Sequence, residues 1–349
     1  MKSQKLKNMF RILLIIASIS SLYFVPWIVI KAWIMPLPDT VQEQVDDAIG
    51  YGFDGMIVYV DQNGEKPAYY AAGYKNRENK IPADPQSLFK IASVSKLYTA
   101  VAIAKLANNG SLALDNTLAD YFPELVGRVE NADKITVRMM VQHRSGIPNY
   151  TDTKNYWVHP KKSENEQLAL VLDQPADFEP GKNYKYSNTN YLLLSKLIEK
   201  VTGENQFQYI HEVILDPLDL KNTYGSIEDV NLDDVMSGYY VGYEYDLKAD
   251  NNDAMLATAE DLGKFIRALN DSSVFKNKRE QEIYSSIYEY EHTGLIPGYQ
   301  TIAKYHKDID TVVIQFTNTT NFDGYNWNLS EIFYSRIVKI LRKKVKHPK

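Results

Sequence analysis

The stretch Phe89-Lys90-Ile91-Ala92-Ser93-Val94-Ser95-Lys96 decides the reading of this chain. A short segment ends in a serine, and a lysine follows three residues later. Leu97, Ala100, Val101 and Ala104 then share one face of a helical period. Ser93 is therefore expected at a helix N-terminus, where free N–H groups and the helix dipole favour developing negative charge. The spacing brings Lys96 onto the same face, one turn along. An amine takes a serine proton only where it is neutral part of the time, and burial works in that direction. Taken alone, Ser-x-x-Lys is more often a helix cap with a solvated lysine, so the remaining motifs carry the decision.

Two further motifs follow in order. Tyr186-Ser187-Asn188 supplies a phenol and an amide two residues apart, which point the same way in an extended segment. The phenol can shuttle a proton to and from the serine oxygen. The Asn188 carbonyl can hold Lys96 while its NH₂ meets a substrate amide. Pro180-Gly181 opens this segment as a turn. A helix follows it, with Leu194, Leu197, Ile198 and Val201 on one face and Gly203 as its stop. The third motif is His292-Thr293-Gly294. Tyr288, Tyr290 and His292 alternate with Ile287, Glu289 and Glu291, which predicts an edge strand over about 286–292. Gly294 would let a substrate backbone approach closely, lying along the strand as an added strand. The N–H groups of Ser93 and Leu295 are the expected oxyanion donors.

These stretches resemble the serine β-lactamase-like family, which contains class C β-lactamases, D-alanyl-D-alanine carboxypeptidases and related esterases. The likeness runs from about residue 52 to 335. It includes Gln142-His143-Arg144-Ser145-Gly146-Ile147-Pro148, Phe178-Glu179-Pro180-Gly181, and Tyr186 through Tyr191. It also includes Thr258-Ala259-Glu260-Asp261-Leu262 and His292 through Tyr299. The resemblance implies Ser93 as nucleophile and Lys96 with Tyr186 as the proton-handling pair. Asn188, His292, Thr293, Gly294 and Leu295 would form the substrate cleft. Class C β-lactamases usually carry lysine where His292 stands, so this chain looks more like the carboxypeptidase and esterase branches. Its expected substrate is a D-alanyl ester of teichoic acid or a peptidoglycan stem peptide. A β-lactamase and a non-catalytic penicillin-binding or sensor protein are the alternatives. His143 reads as structural, and no cofactor is implied.

Composition places the expected enzyme at a membrane. Ile12 to Ile30 is nineteen residues without a charge, preceded by Lys2, Lys5, Lys7 and Arg11. As a helix that run is about 28 Å long, close to the thickness of a bilayer core. The expected layout is a cytoplasmic tail over 1–11, a single-pass anchor over 12–33 and an extracytoplasmic hydrolase domain over 40–349. A cleaved signal peptide is the competing reading, with Ser18-Ile19-Ser20 as its possible cleavage site. With no cysteine, the chain has no disulfide, thiol nucleophile or lipidated cysteine.

Residues 1–35 hold five Lys/Arg and residues 336–349 hold seven, with no acids in either segment. Removing those twelve from the total of 39 leaves 27 basic against 44 acidic residues. Such a domain is a poor nucleic-acid binder. The basic tail from Arg336 through Lys349 reads as a solvated helix end, or as a contact for anionic lipid. No His, Asp and Glu cluster has a convincing metal spacing.

The expected fold is α/β (α+β). An antiparallel sheet, flanked by N- and C-terminal helices, is interrupted by a large, mostly helical insertion. The α/β part covers about 40–92 and 285–349, and the helical part about 93–284. Strands at about 54–61 and 67–74 flank an Asn63-Gly64 turn. Others lie at about 299–306 and 311–317. Tyr239, Tyr240, Tyr243 and Tyr245 cluster in an expected loop, where they either pack or stack on a sugar-like ligand.

Overall fold

The computed structural model describes residues 2–157, 163–251 and 254–346. Its centre is a six-stranded antiparallel sheet. The spatial order is Ile81–Pro82, Ala68–Asn76, Gly55–Gln62, Thr311–Thr317, Tyr299–His306 and His292–Ile296. Strands from both ends of the chain therefore meet at the sheet centre, where Met56 to Gln62 pair with Thr317 to Thr311. Asn63 and Gly64 both have positive φ, as the tight hairpin turn requires.

Period-2 alternation divides the central strand between two cores. Met56, Val58 and Val60 join one cluster with Val41, Val45, Phe333 and Ile337. Ile57 and Tyr59 join the other, with Leu97, Val101, Leu262 and Phe265. The first cluster is the layer of helices Val41–Ile49 and Asn326–Lys346. The second is the helical part. Thr40 caps the first of these helices in a reciprocal box with Glu43. Thr258 caps the Ala259–Asn270 helix by accepting from the Asp261 N–H.

The segment before His292 differs from the sequence expectation. Residues 286–291 form no strand, and the strand begins at His292. Side chains satisfy carbonyls there that a neighbouring strand would otherwise bind. Gln142 donates to the Ser286 carbonyl, Tyr284 to Glu289 and Asn270 to Tyr290. Alternating tyrosines in this irregular segment imitate a strand period.

The apolar run near the N-terminus is divided. One helix covers Lys2–Ser21, a single 3₁₀ turn covers Leu22–Phe24, and a second helix covers Trp27–Ile34. Pro26, which has no N–H to donate, stands at the break. Leu6–Phe24 is long and apolar enough for a membrane anchor or a signal sequence, and it touches no core. Trp27–Ile34 instead packs Ala32 into the core beside the C-terminal helix.

The basic tail is not all solvated. Arg336 is buried and donates to the Met35 and Pro36 carbonyls and to Gln44. Arg342 donates to Asp308 through Nε and Nη2, while Lys339, Lys343 and Lys344 are exposed. Residues 347–349 of the tail, and Met1 of the expected cytoplasmic segment, lie outside the described residues.

Candidate active site

Phe89–Lys90 pairs with Leu256–Ala257, and the Ile91 N–H donates to the Met255 carbonyl. The chain then turns sharply through Ala92, whose φ is +51°. A side chain adopts this left-handed conformation only where its surroundings enforce it, at a cost of order 1–3 kcal/mol. The result is a 3₁₀ turn over Ala92–Val94 that presents Ser93 just ahead of the Ser95–Asn108 helix. Lys96 lies in the first turn of that helix and is only 6% exposed.

Three of the expected side chains converge on one oxygen network. The Tyr186 hydroxyl donates to Ser93 Oγ at 2.8 Å. Lys96 Nζ lies 3.3 Å from Ser93 Oγ and 2.8 Å from Asn188 Oδ1. Lys96 Nζ also stands over the Tyr186 and Tyr191 rings, 5.1 and 5.3 Å from their centroids. The Asn188 amide is braced in turn. Its NH₂ donates to Thr151 Oγ1, and its backbone N–H donates to Asn149 Oδ1. Asn188 opens the Asn188–Thr202 helix, which ends on Gly203 in the left-handed region.

His143 supports the phenol. Its ring stacks on Tyr186 at 4.3 Å, and its Nδ1 accepts from the Ser187 N–H. Burial, with Lys96 nearby, pushes its pKa down to about 3. His143 is therefore neutral at ordinary pH, with its proton on Nε2.

His292 is also neutral. Burial first, and Lys96 second, lower its pKa to about 4. Its Nδ1 faces the Thr293 carbonyl at 2.5 Å and must donate there. Its Nε2 then accepts from the Tyr288 hydroxyl at 3.0 Å. Both ring nitrogens are used within the protein.

Gly294 fills a different need from the one expected. A Cβ there would lie 2.5 Å from the Ile91 carbonyl oxygen and 3.2 Å from the Ser93 nitrogen. The missing side chain lets the strand pack directly on the Ser93 turn. Hydrogen-bonded pairs alternate along an antiparallel ladder. The Pro297-Gly298 turn is closed by the Ile296 and Tyr299 pair. Leu295 N–H therefore faces the open edge of the sheet, and Leu295 lines the same crevice as Ser93.

These groups border a crevice of about 260 Å³ lined by Ser93, Tyr186, His292, Thr293, Leu295 and Trp327. No lysine or arginine is among them. A second cavity of about 320 Å³ reaches Lys96 and Asn188 from the other side, past Thr99 and Gln206. Sequence reasoning missed the bracing by Asn149 and Thr151, the Tyr191 ring, Tyr288 and Trp327. Only Tyr191 had a signal, as it stood within the quoted Tyr186–Tyr191 stretch. Among the described residues no group of His, Asp or Glu could hold a metal.

A serine in a strained turn, a buried lysine one helical turn away and a phenol on the same oxygen are the parts of a serine hydrolase of the β-lactamase fold. The family model described as Beta-lactamase matches residues 37–288, and the chain belongs to that family. It is 28% identical over 193 residues to Protein flp of Staphylococcus aureus (strain MW2), covering 54% of this chain and 39% of that one. It is 25% identical to a mitochondrial serine beta-lactamase-like protein of Bos taurus, covering 71% of this chain and 57% of the relative. The chain thus spans about two fifths to just over half the length of these relatives. Among solved structures, D-amino acid amidase from Ochrobactrum anthropi SV3 superposes with a TM-score of 0.76 at 22% identity, over 87% of this chain and 98% of that one. A penicillin binding protein from Bacillus halodurans gives 0.71 at 20% identity, over 87% and 99%. At such identities the two structures speak for the fold.

Proposed function

We propose that the protein is a membrane-anchored, extracytoplasmic hydrolase that cleaves D-alanyl esters or amides of the cell envelope through a Ser93 acyl-enzyme. Ser93 Oγ attacks the substrate carbonyl while its proton passes into the Tyr186–Lys96 pair, with Lys96 as the free amine that accepts it. The Ser93 and Leu295 N–H groups receive the oxyanion. The bond to the leaving alcohol or amine breaks, and that group takes the proton back. Water then attacks the acyl-enzyme and gives its proton to the same pair, which returns it to Ser93 Oγ as the acid leaves: D-alanine from an ester, the shortened peptide from a stem peptide.

The observation that carries the substrate choice is the crevice around neutral His292. Penicillins and peptides ending in D-alanine present a carboxylate beside the reacting carbonyl. D-alanyl esters on teichoic acid do not. A crevice lined by His292, Thr293, Leu295 and Trp327 offers that carboxylate no cation, so the ester loses least. The test is hydrolysis of three substrates by one preparation: a D-alanyl glycerol ester, a D-alanyl-D-alanine peptide and benzylpenicillin. The expected order of kcat/KM is ester, peptide, penicillin, with slow release of the penicilloyl adduct. Faster turnover of penicillin than of both others would overturn the proposal.

A further inference from the structure

The helix Trp27–Ile34 has two unlike faces. Ala32 is buried against the C-terminal helix, and Val29 packs beside it. The rest of its surface is uncovered and mostly apolar, with Lys31 its one charge. Trp33 is 70% exposed and Ile34 66%, and Tyr23 and Phe24, just before the helix, are 87% and 80% exposed. Trp27 and Ile28 are exposed as well. Side chains of this kind, tryptophan and tyrosine above all, gather at the headgroup level of a bilayer, where one end of the ring is apolar and the other wet. Tyr23 and Phe24 end the apolar span Leu6–Phe24, and the others follow it directly.

The helix is also locked to the catalytic domain. Arg336 binds the carbonyls of Met35 and Pro36, and the Tyr51 hydroxyl contacts the Met35 sulfur. Lys31 stands over the Tyr51 ring. A buried guanidinium on two carbonyls leaves the Pro36–Asp39 segment no slack at its start. Lys339, Lys343 and Lys344 lie exposed on the same C-terminal helix and suit an anionic surface.

We propose that Trp27–Ile34 lies in the bilayer interface as a docked foot, and that it holds the catalytic domain at one height and orientation over lipid. This rests on the membrane reading above. It limits the substrate pool. Trp327, on the crevice wall, precedes Arg336 by nine residues of one helix, about 14 Å. Adding the reach of the arginine side chain keeps the crevice within roughly 25 Å of the end of the foot. The substrate is then the membrane-proximal part of an envelope polymer, brought to a fixed site.

The test uses the full chain and vesicles of phosphatidylcholine with phosphatidylglycerol, one set carrying brominated acyl chains. Flotation reports anchoring separately from docking. Two of the four tryptophans, Trp27 and Trp33, belong to the foot. Emission should fall by roughly a third to a half in brominated vesicles, and shallow bromines should quench most. The Trp27→Phe/Trp33→Phe variant should float equally and show little quenching. The chain lacks cysteine, so a fluorophore on Tyr325→Cys reports height alone. Strong energy transfer to headgroup acceptors is expected. Protein that floats with unquenched tryptophan, or without energy transfer, overturns the docked foot and leaves anchoring intact. Protein that does not float overturns both.

Discussion

The Tyr186 hydroxyl lies 2.8 Å from Ser93 Oγ, closer than Lys96 Nζ at 3.3 Å. Both groups reach the one oxygen that must lose a proton, and Lys96 is held over the Tyr186 ring. Groups that act as a unit are not additive when removed. Tyr186→Phe and Lys96→Ala should each lower kcat by several orders of magnitude, and the double variant should be little worse than the poorer single. Single-turnover kinetics on an activated ester would show this. Losses that simply multiply would mean two independent roles.

Gly294→Ala should damage catalysis more than stability. The new Cβ meets the Ile91 carbonyl at 2.5 Å, so the strand or the Ser93 turn must move. Overpacking of this kind costs about 1–3 kcal/mol. A displacement of about 1 Å at the reacting atoms costs on the order of a hundredfold in rate. Thermal unfolding beside kcat measures both. Wild-type turnover by this variant would show that the close approach is not needed.

His143 and His292 should make the fold acid-sensitive. Their pKa values fall from about 6.5 when unfolded to about 3 and about 4 in the fold. The folded state then binds fewer protons than the unfolded state between those limits. Stability is fully present above pH 6.5 and is lost as pH falls, at about 1.4 kcal/mol per pH unit per histidine. The loss is complete for His292 near pH 4 and for His143 near pH 3. His292→Asn, which keeps a donor for the Thr293 carbonyl, should flatten the melting-temperature curve between pH 6.5 and 4. An unchanged slope would show that His292 titrates normally in the fold.

His292→Lys should shift substrate preference. It places a cation in a crevice that has none, within reach of a substrate carboxylate. A hydrogen bond to a charged group contributes about 1.5–3 kcal/mol. The ratio of penicillin acylation to ester hydrolysis should therefore rise by roughly ten- to a hundredfold. Stopped-flow acylation by a chromogenic penicillin, set beside ester turnover, reads the ratio. A fall in the ratio would remove the carboxylate from the account of specificity.

Much of this was legible in residue order. The strands Tyr299–His306 and Thr311–Thr317 follow from their β-branched and aromatic runs between turns. Ser93, Lys96, Tyr186 and Asn188 could be chosen because fixed spacings carried them. What sequence did not carry was long-range and stereochemical. Nothing local shows that Thr151 binds an amide 37 residues away. The positive φ of Ala92 is set by the neighbours of the turn, and alanine gives no sign of it. The Tyr288 and Tyr290 alternation misled because carbonyl partners from Gln142, Tyr284 and Asn270 replaced a strand. The partners of His292, Tyr288 and the Thr293 carbonyl, are set by the fold around it and leave no trace in the spacing of the motif. The apolar run reads as one anchor through Pro26, where the helix in fact breaks, and the docking of Trp27–Ile34 depends on Arg336, about 300 residues later in the chain.

The central claim is that Ser93 alone forms the acyl-enzyme. Intact-mass and peptide mass spectrometry after treatment with a fluorophosphonate tests it most directly. One adduct per chain is expected, on the peptide containing Ser93, and none on Ser93→Ala. Ser95, two residues on and outside the Tyr186 and Lys96 network, should stay unmodified. Full labelling of Ser93→Ala, or an adduct on another residue of the wild-type protein, would contradict the account.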